Sequence, residues 1–389
     1  MTEDLAWRAK RQGLRYVEAD KLCLTRQKGG RGFRYLDAGG RVIRSKRILD
    51  RIRALVIPPA WVEVCIADDP KAHIQAVGRD SEGRLQYRYH DEWTGVRDKV
   101  KAERLLRFGR ALPKIRARLD RDLNRRKTDR RYAAAVASRL IDRALLRSGH
   151  SVSEPEDGGR GAATLLNSDV QLNGTHVSLN FTGKSGKKVR KTFRDPILLL
   201  RLKKLRRIGK ERLFGFRDDK GRCCYLSARD LNHYLREAAG QPVTAKDFRT
   251  FAASADALAA LCEAEPPASE TAAKKVVAEV MRQTSEKLVN TPAVTRSSYV
   301  HPLVVEAFQS EQLTPAILNR AARNGLSHAE TALMRFLEGV FDGTIDAGEP
   351  ASNGAPKVAA SASRTSANGK KRRAKSAPPL RRASASATA

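Results

Sequence analysis

His176-Val177-Ser178-Leu179-Asn180-Phe181-Thr182-Gly183-Lys184-Ser185-Gly186, continued by Val189 to Phe193, alternates polar and apolar residues, turns on glycines and alternates again. A period of two around a Gly-rich turn predicts a half-buried β-hairpin. Its surroundings make it decisive, because both flanks have a different period. Val136, Leu140, Ile141, Ala144 and Leu145 fall on one helical face before it. After it, Leu258 and Leu261 belong to a helix that Thr244 is placed to cap, and Val276, Val277, Val280, Met281 and Leu288 mark another. Ser327-His328-Ala329-Glu330 opens a last helix with a capping-box pattern, ending near Phe341. A hairpin therefore interrupts a mainly helical domain whose helical spacing begins at Trp93.

Upstream of Trp93 the pattern is short strands and turns. Gly32 to Leu36, the turn Asp37-Ala38-Gly39-Gly40 and Arg41-Val42-Ile43 predict a hairpin. Ser45 to Leu55 predicts a helix closed by Pro58-Pro59, and a strand pair spans Ile74 to Tyr89. The fold class expected is α+β: a small N-terminal α+β domain over 1–92 and a larger, mainly helical domain over 93–312 that contains the hairpin. A helical extension follows over 313–345, then a basic tail over 346–389. From Pro350 onward the tail is Ala, Ser, Pro, Gly and Asn with nine Lys/Arg and no acid, a composition that cannot bury a core and is expected to be disordered.

The formal net charge is +32, and residues 1–349 alone keep 66 Lys/Arg against 43 acids. Such a field attracts polyanions, so duplex nucleic acid is the expected partner of the folded part as well as of the tail. Five cysteines without a CxxC or a regular framework argue against a disulfide scaffold and a zinc site. No run of about 18 apolar residues and no secretory N-terminus is present, so neither membrane nor export is expected, and a reducing, cytoplasmic location follows.

Five segments carry chemistry. Arg147 ends a helix, and Lys184 sits at the hairpin tip. Lys246 and Arg249 are three apart in a helix that begins at Ala245. Asn290 precedes Pro292 at the start of a short helix, and Tyr299 ends that helix before His301-Pro302. Singly, each has an ordinary explanation: a surface cation, a turn lysine, an αL C-cap at Asn290, a half-buried core tyrosine. Their order in the chain is what distinguishes them.

Arg, Lys on a hairpin, Lys-x-x-Arg, Asn and then Tyr nine residues on, in this order, resemble the type IB DNA topoisomerases, in particular the small viral and bacterial members. The resemblance runs from about Gly29 to Pro302 and includes Ile57-Pro58-Pro59-Ala60-Trp61, the segment Gly78 to Tyr89 and Ser298-Tyr299-Val300-His301-Pro302. It implies that Tyr299 attacks a backbone phosphorus to give a 3′-phosphotyrosyl link, that Arg147 and Arg249 contact the non-bridging oxygens, and that Lys184 protonates the leaving 5′-oxygen. It further implies that Lys246 and Asn290 face the phosphate and that Arg84, Gln86, Tyr87 and Tyr89 contact DNA. No cofactor, no metal and a monomer acting at the nucleoid are expected, with supercoils of both signs relaxed without ATP.

General chemistry makes the same demands. Fixed guanidinium charges stabilise the equatorial oxygens of a phosphodiester under attack, each on the order of 3 kcal/mol by analogy with oxyanion holes. A lysine beside other cations gives up its proton more easily to an alkoxide. Two departures stand out. Asn290 occupies a position where many members have histidine, and a neutral amide donates a hydrogen bond but carries no charge. After Arg147, Ser153 replaces a tyrosine, and Glu154 to Gly161 leaves the family pattern before Thr164-Leu165 rejoins it. Two alternatives stay open at this point. One is a tyrosine recombinase, against which Lys246 stands where His is usual, and the other is a non-catalytic nucleoid-structuring protein.

Overall fold

The computed structural model describes residues 2–30, 32–149 and 159–343. The chain begins with α1 (Thr2–Arg11) and continues through β1 (Leu24–Gly29), β2 (Gly32–Leu36), α2 (Lys46–Ala54), β3 (Val62–Ile66), β4 (Ile74–Arg79) and β5 (Leu85–Tyr89). The strands form one antiparallel sheet of order β2-β1-β3-β4-β5. Only β4, an interior strand between β3 and β5, is buried along most of its length. One side of the sheet buries Leu24, Val64, Ile66 and Ala76 against Ile52 of α2. Ala9 of the first helix packs with Leu14, Trp93 and Val96.

The expected partner of β2 is corrected. The turn at Asp37 forms, its carboxylate accepting from Gly39 N and Arg41 N at 2.9 Å each. The returning arm then bridges only at Leu36–Val42 before α2 begins, leaving no room for a second strand. The full ladder runs from β2 to β1, Thr25 opposite Leu36 through Gly29 opposite Gly32. That first strand buries only Leu24 fully, so its sequence lacks the alternation by which strands are recognised.

His73 ties this region to the helices. It stacks on Tyr16 with centroids 4.2 Å apart, meets Trp93 edge-on at 4.5 Å, and its Nδ1 accepts from Val17 N at 3.1 Å.

The helical part opens with α3 (Asp91–Leu123), which His90 caps by accepting from Glu92 N. At 1.5 Å per residue it is about 50 Å long, so its first turns meet the α1 region and the rest runs through the helical core. Next come α4 (Arg130–Ala144), β6 (Val170–Asn173), β7 (His176–Thr182), β8 (Lys188–Arg194), α5 (Pro196–Arg206), β9 (Gly215–Arg217) and β10 (Cys223–Tyr225). The chain then builds α6 (Ala228–Ala239), α7 (Ala245–Glu263), α8 (Glu270–Leu288), α9 (Pro292–Ser298), α10 (Pro302–Gln309) and α11 (His328–Phe341). The expected hairpin is β7–β8, in register from His176–Arg194 to Thr182–Lys188, and β6 adds a third strand. The expected helices at 45–55, 136–145, 244–261, 276–288 and 327–341 all form.

α7 is the central helix, since α3, α4, α8, α10 and α11 all pack on it. Gly109 permits its closest approach to α3, because a Cβ there would lie 2.1 Å from Met334 Sδ and 2.7 Å from Phe251. Phe108 meets Phe248 and Phe251 edge-on. At the start of α7, Asp247 accepts from Thr244 N and Oγ1 at 2.8 Å each and pairs both oxygens with Arg104 at 2.7 and 2.9 Å. The first turn of α7 is therefore locked to the long helix, and Arg249 lies two residues further on. Residues 150–158, which hold the Ser153 departure, and the tail from 344 lie outside the described residues.

Burial pulls the pKa of His73 down to about 4, against a smaller upward pull from the Arg15 backbone. The unfolded chain therefore takes up the proton first as pH falls, and stability is lost between about pH 6.5 and 4. Urea unfolding at pH 7 and 4.5 is expected to show wild type losing about 2 kcal/mol more than His73→Asn, which keeps the acceptor but cannot titrate. Identical losses in the two proteins would assign the acid sensitivity to other groups.

Candidate active site

Two helices end side by side. α4 stops at Ala144, and Leu145 turns the chain with φ 52°, its N–H donating to Ile141 O at 2.7 Å. α8 stops at Leu288, and Val289 does the same with φ 52°. The left-handed cap of α8 is thus Val289, not Asn290, whose N–H donates instead to Ser285 O at 2.9 Å. Past the two caps come Arg147 and Asn290, and Arg147 Nη2 donates to Asn290 Oδ1 at 2.9 Å.

Arg249 reaches the same place from α7. It is 3% exposed, and its guanidinium donates to Leu145 O and, at 3.0 Å, to Leu288 O. Its Cζ lies 4.8 Å from the centroid of the Tyr299 ring. Tyr299 follows α9, whose cap Thr291 accepts from Val294 N at 3.3 Å and whose first residue is Pro292. Ser254, fully buried on α7, donates to Tyr299 O at 3.2 Å and accepts from His301 N at 3.1 Å. His301 Nδ1 accepts from Leu303 N at 3.2 Å, so Nε2 carries the proton donated to Asp98 O at 2.9 Å. Burial takes its pKa down to about 4 despite the opposing pull of Asp98, and the ring is a neutral clamp at neutral pH. The tyrosine is thereby held from α7 on one side and α3 on the other.

The electrostatics are those of an anion site. Burial of Tyr299, which is 8% exposed, works against its phenolate, but Arg249 and Arg147 outweigh it and hold the phenol below its ordinary pKa. Two buried donors, Arg249 Nε and Asn290 Nδ2, have no hydrogen-bond partner among the described residues. Both donors are available to acceptor oxygens. Tyr299 is buried, as the ordinary reading had it, but its neighbours are cations.

Lys184 reaches this region through backbone packing. It lies at the exposed tip between β7 and β8, where Gly183 N donates to Lys187 O at 2.7 Å. Residues 159–163 pack between the tip and the Arg147 loop. Arg160 N donates to Thr182 O at 3.0 Å, and Ala162 N and Ala163 N donate to Arg147 O and Ser148 O at 2.8 Å each. Side chains are excluded there: a Cβ on Gly159 would lie 2.3 Å from Lys184 N, and one on Gly161 would lie 2.5 Å from Gly149 N. Lys246 shares a helix with Arg249, but its side chain is exposed where Arg249 is buried.

The expected DNA-contacting residues sit apart, on and beside β5. Tyr87 is 38% exposed and stacks on half-buried Tyr89, centroids 5.7 Å apart. Gln86 Nε2 and Arg84 Nε both donate to Asp80 Oδ2, at 2.8 and 2.9 Å.

Sequence reasoning missed Ser254, Arg160 and Lys191. Lys191 left a trace, a charged residue in the inward register of a strand between Val189 and Phe193. Among the described residues no cluster of three His, Cys, Asp or Glu is placed to hold a metal, and no helix is long and apolar enough to cross a membrane.

Comparison with known proteins places the chain among relatives of one kind. The family described as eukaryotic DNA topoisomerase I, catalytic core, matches residues 90–316, and that described as bacterial DNA topoisomerase IB, N-terminal domain, matches residues 32–80. DNA topoisomerase 1B of Acanthamoeba polyphaga mimivirus is 31% identical over 292 residues, covering 73% of this chain and 87% of the viral protein. DNA topoisomerase 1B of Vaccinia virus (strain Western Reserve) and DNA topoisomerase I of Monkeypox virus are each 22% identical over 245 residues, 62% of this chain and 74% of theirs. With the ordered site residues, the hairpin within a helical domain and a match across both parts of the chain, this protein belongs to the type IB DNA topoisomerase family.

Proposed function

We propose that this type IB DNA topoisomerase cuts one strand of duplex DNA with Tyr299 and reseals it after strand rotation. The observation that carries the reading is the meeting of Arg147, Arg249, Asn290 and Tyr299, drawn from four parts of the chain, with both guanidiniums acting on the phenol. The phenolate oxygen of Tyr299 bonds to phosphorus as the bond from phosphorus to the 5′-oxygen breaks. The products are a 3′-phosphotyrosyl ester and a free 5′-hydroxyl. Arg147 and Arg249 stabilise the charge gathering on the non-bridging oxygens, and Asn290 Nδ2 adds a neutral donor. The same two guanidiniums favour the phenolate, so the nucleophile and the transition state share their stabilisation. Lys184 protonates the leaving 5′-oxygen from the hairpin tip, and Lys246 supplies a further cation at the exposed start of α7.

The ester conserves the phosphodiester bond energy, so attack by the 5′-hydroxyl reverses the cut without ATP. The arginines place fixed positive charge where metal-dependent nucleases place an ion, and supercoils of both signs relax without added metal. Residues 1–92 close on the duplex, 93–312 carry the chemistry and 313–345 extend the helical part. The basic tail over 346–389 adds sequence-independent phosphate affinity. The protein works as a monomer in the cytoplasm, at the nucleoid.

In EDTA and without ATP, the protein is expected to relax positively and negatively supercoiled plasmid, and Tyr299→Phe is expected to bind plasmid but leave its topology unchanged. Relaxation by that variant would move the nucleophile to another residue. The Arg147 side chain donates to Asn290 Oδ1 and acts on the Tyr299 phenol, and among the described residues it is bonded to no core element. Arg147→Ala is therefore expected to fold normally and to cleave about 100-fold more slowly, the effect of removing one preorganised donor. Rates within about threefold of wild type, in trapping of the SDS-stable covalent adduct, would place Arg147 outside the transition state.

A further inference from the structure

Lys191 stands where a hairpin ordinarily places an apolar side chain. On β8 it lies between Val189 and Phe193 in the inward alternation, opposite buried Leu179 on β7. Its ammonium is well partnered. Nζ donates to Ala144 O and to Lys287 O at 2.6 Å each. Ala144 ends α4, and Lys287 lies in the last turn of α8. Carbonyls in a last helical turn lack intrahelical donors and carry the negative end of the helix dipole. One ammonium thus satisfies an orphan acceptor from each helix. Arg249 repeats the pattern one residue along, on Leu145 O and Leu288 O.

We propose that Lys191 is a positioning residue of the cleavage reaction: its ammonium fixes the spacing of the α4 and α8 ends, and so the placement of Arg147 and Asn290 on the scissile phosphate. It also anchors the strand that leads from the Lys184 tip to the same two helix ends. The inference rests on the assignment of Tyr299, Arg147 and Asn290 to the reaction. Lys191 touches no reacting atom and acts through the residues it holds.

The charges that face it are cationic. Arg249 from α7, Arg147 from beyond α4 and Arg160 from before β6 line the same small cavity, and no carboxylate lines it among the described residues. The ammonium of Lys287 is turned away to Asp256, at 2.9 Å. The Tyr299 phenol faces Arg249. Burial, and then Arg249, bring the Lys191 pKa down to about 8. A neutral amine keeps N–H donors but loses the charge that the helix ends attract, so the hold weakens as pH rises through about 8. Unfolding does not account for a decline there, because between about pH 8 and the ordinary lysine value the unfolded chain binds this proton more tightly than the folded one. This group's contribution to folding stability therefore rises with pH across that window.

The test is plasmid relaxation with enzyme in excess, read with SDS-trapped adduct and gel retardation from pH 7 to 9.5. Wild type is compared with Lys191→Met and Lys191→Arg. At pH 7, Lys191→Met is expected to be about tenfold slower, a misplacement effect, with plasmid affinity within about twofold of wild type. The ratio of wild type to Lys191→Met should contract as pH passes 8, since ionisation of Tyr299 affects both proteins alike and cancels. Lys191→Arg, which stays charged, should restore the pH 7 rate and show no such alkaline loss. A Lys191→Met rate equal to wild type at pH 7, or a ratio constant across the range, overturns the proposal. Should Lys191→Met fail to fold, the comparison of wild type with Lys191→Arg decides, and parallel alkaline limbs refute it. If wild type itself forms no adduct, it is the assignment of Tyr299 that falls.

Discussion

Four backbone carbonyls, Ala144 and Leu145 at the end of α4 and Lys287 and Leu288 at the end of α8, accept hydrogen bonds from two side chains, Lys191 and Arg249. Left apart, each helix end would present orphan acceptors to the interior, where an unsatisfied polar group costs about 1–3 kcal/mol. Bringing the ends together around shared cations removes that cost and leaves Arg147 and Asn290, just past the caps, within 2.9 Å of each other. The left-handed turns at Leu145 and Val289 direct both residues to one side. The placement of Arg147 and Asn290, the groups proposed to bind the phosphate, thus follows from how two helices terminate.

Concentrating guanidiniums and an ammonium in one place is unfavourable unless something absorbs the repulsion. Helix carbonyls do so for Lys191 and Arg249, Asp169 does so for Arg160 at 2.8 Å, and the Tyr299 phenol lies against Arg249. The compensation is incomplete, since Arg147 is bonded to the neutral amide of Asn290 and no carboxylate lines the cavity among the described residues. An incompletely neutralised, rigid cationic site is prepared to bind charge that develops during a reaction, because its dipoles need not reorganise. Rigidity comes from outside the site. Arg104 and Asp247 lock the first turn of α7 to α3, Gly109 allows α3 to pack closely on Phe251, and Ser254 and His301 hold the chain on either side of Val300.

Much of this is written in local patterns. The β7–β8 hairpin and five helices are legible because their periods are strong, and at Ser327 because the cap is conventional. β1 is not, because a strand that buries one residue fully leaves no alternation to detect. The hairpin expected at Val42 forms its turn and one antiparallel bridge, but its second arm is too short to make a strand before α2. Ser254 is invisible in one dimension, since a buried serine earns its place through bonds to residues 45 and 47 positions away.

The sequence by itself determined the class of fold, the identity of Arg147, Lys184, Lys246, Arg249, Asn290 and Tyr299 as an ordered set, and the polyanion-seeking charge. The fold class and the charge follow from residue type and spacing, which local physics reads directly, whereas the ordered set stands out through its resemblance to the family. The tertiary structure decided which of them meet: it buried Arg249 against Tyr299 and left Lys246, in the same helical turn, at the surface. It also recruited Lys191, which no motif marks. The reason is that the meeting place is built from helix-end carbonyls, groups every residue possesses, and only packing determines which of them face one another.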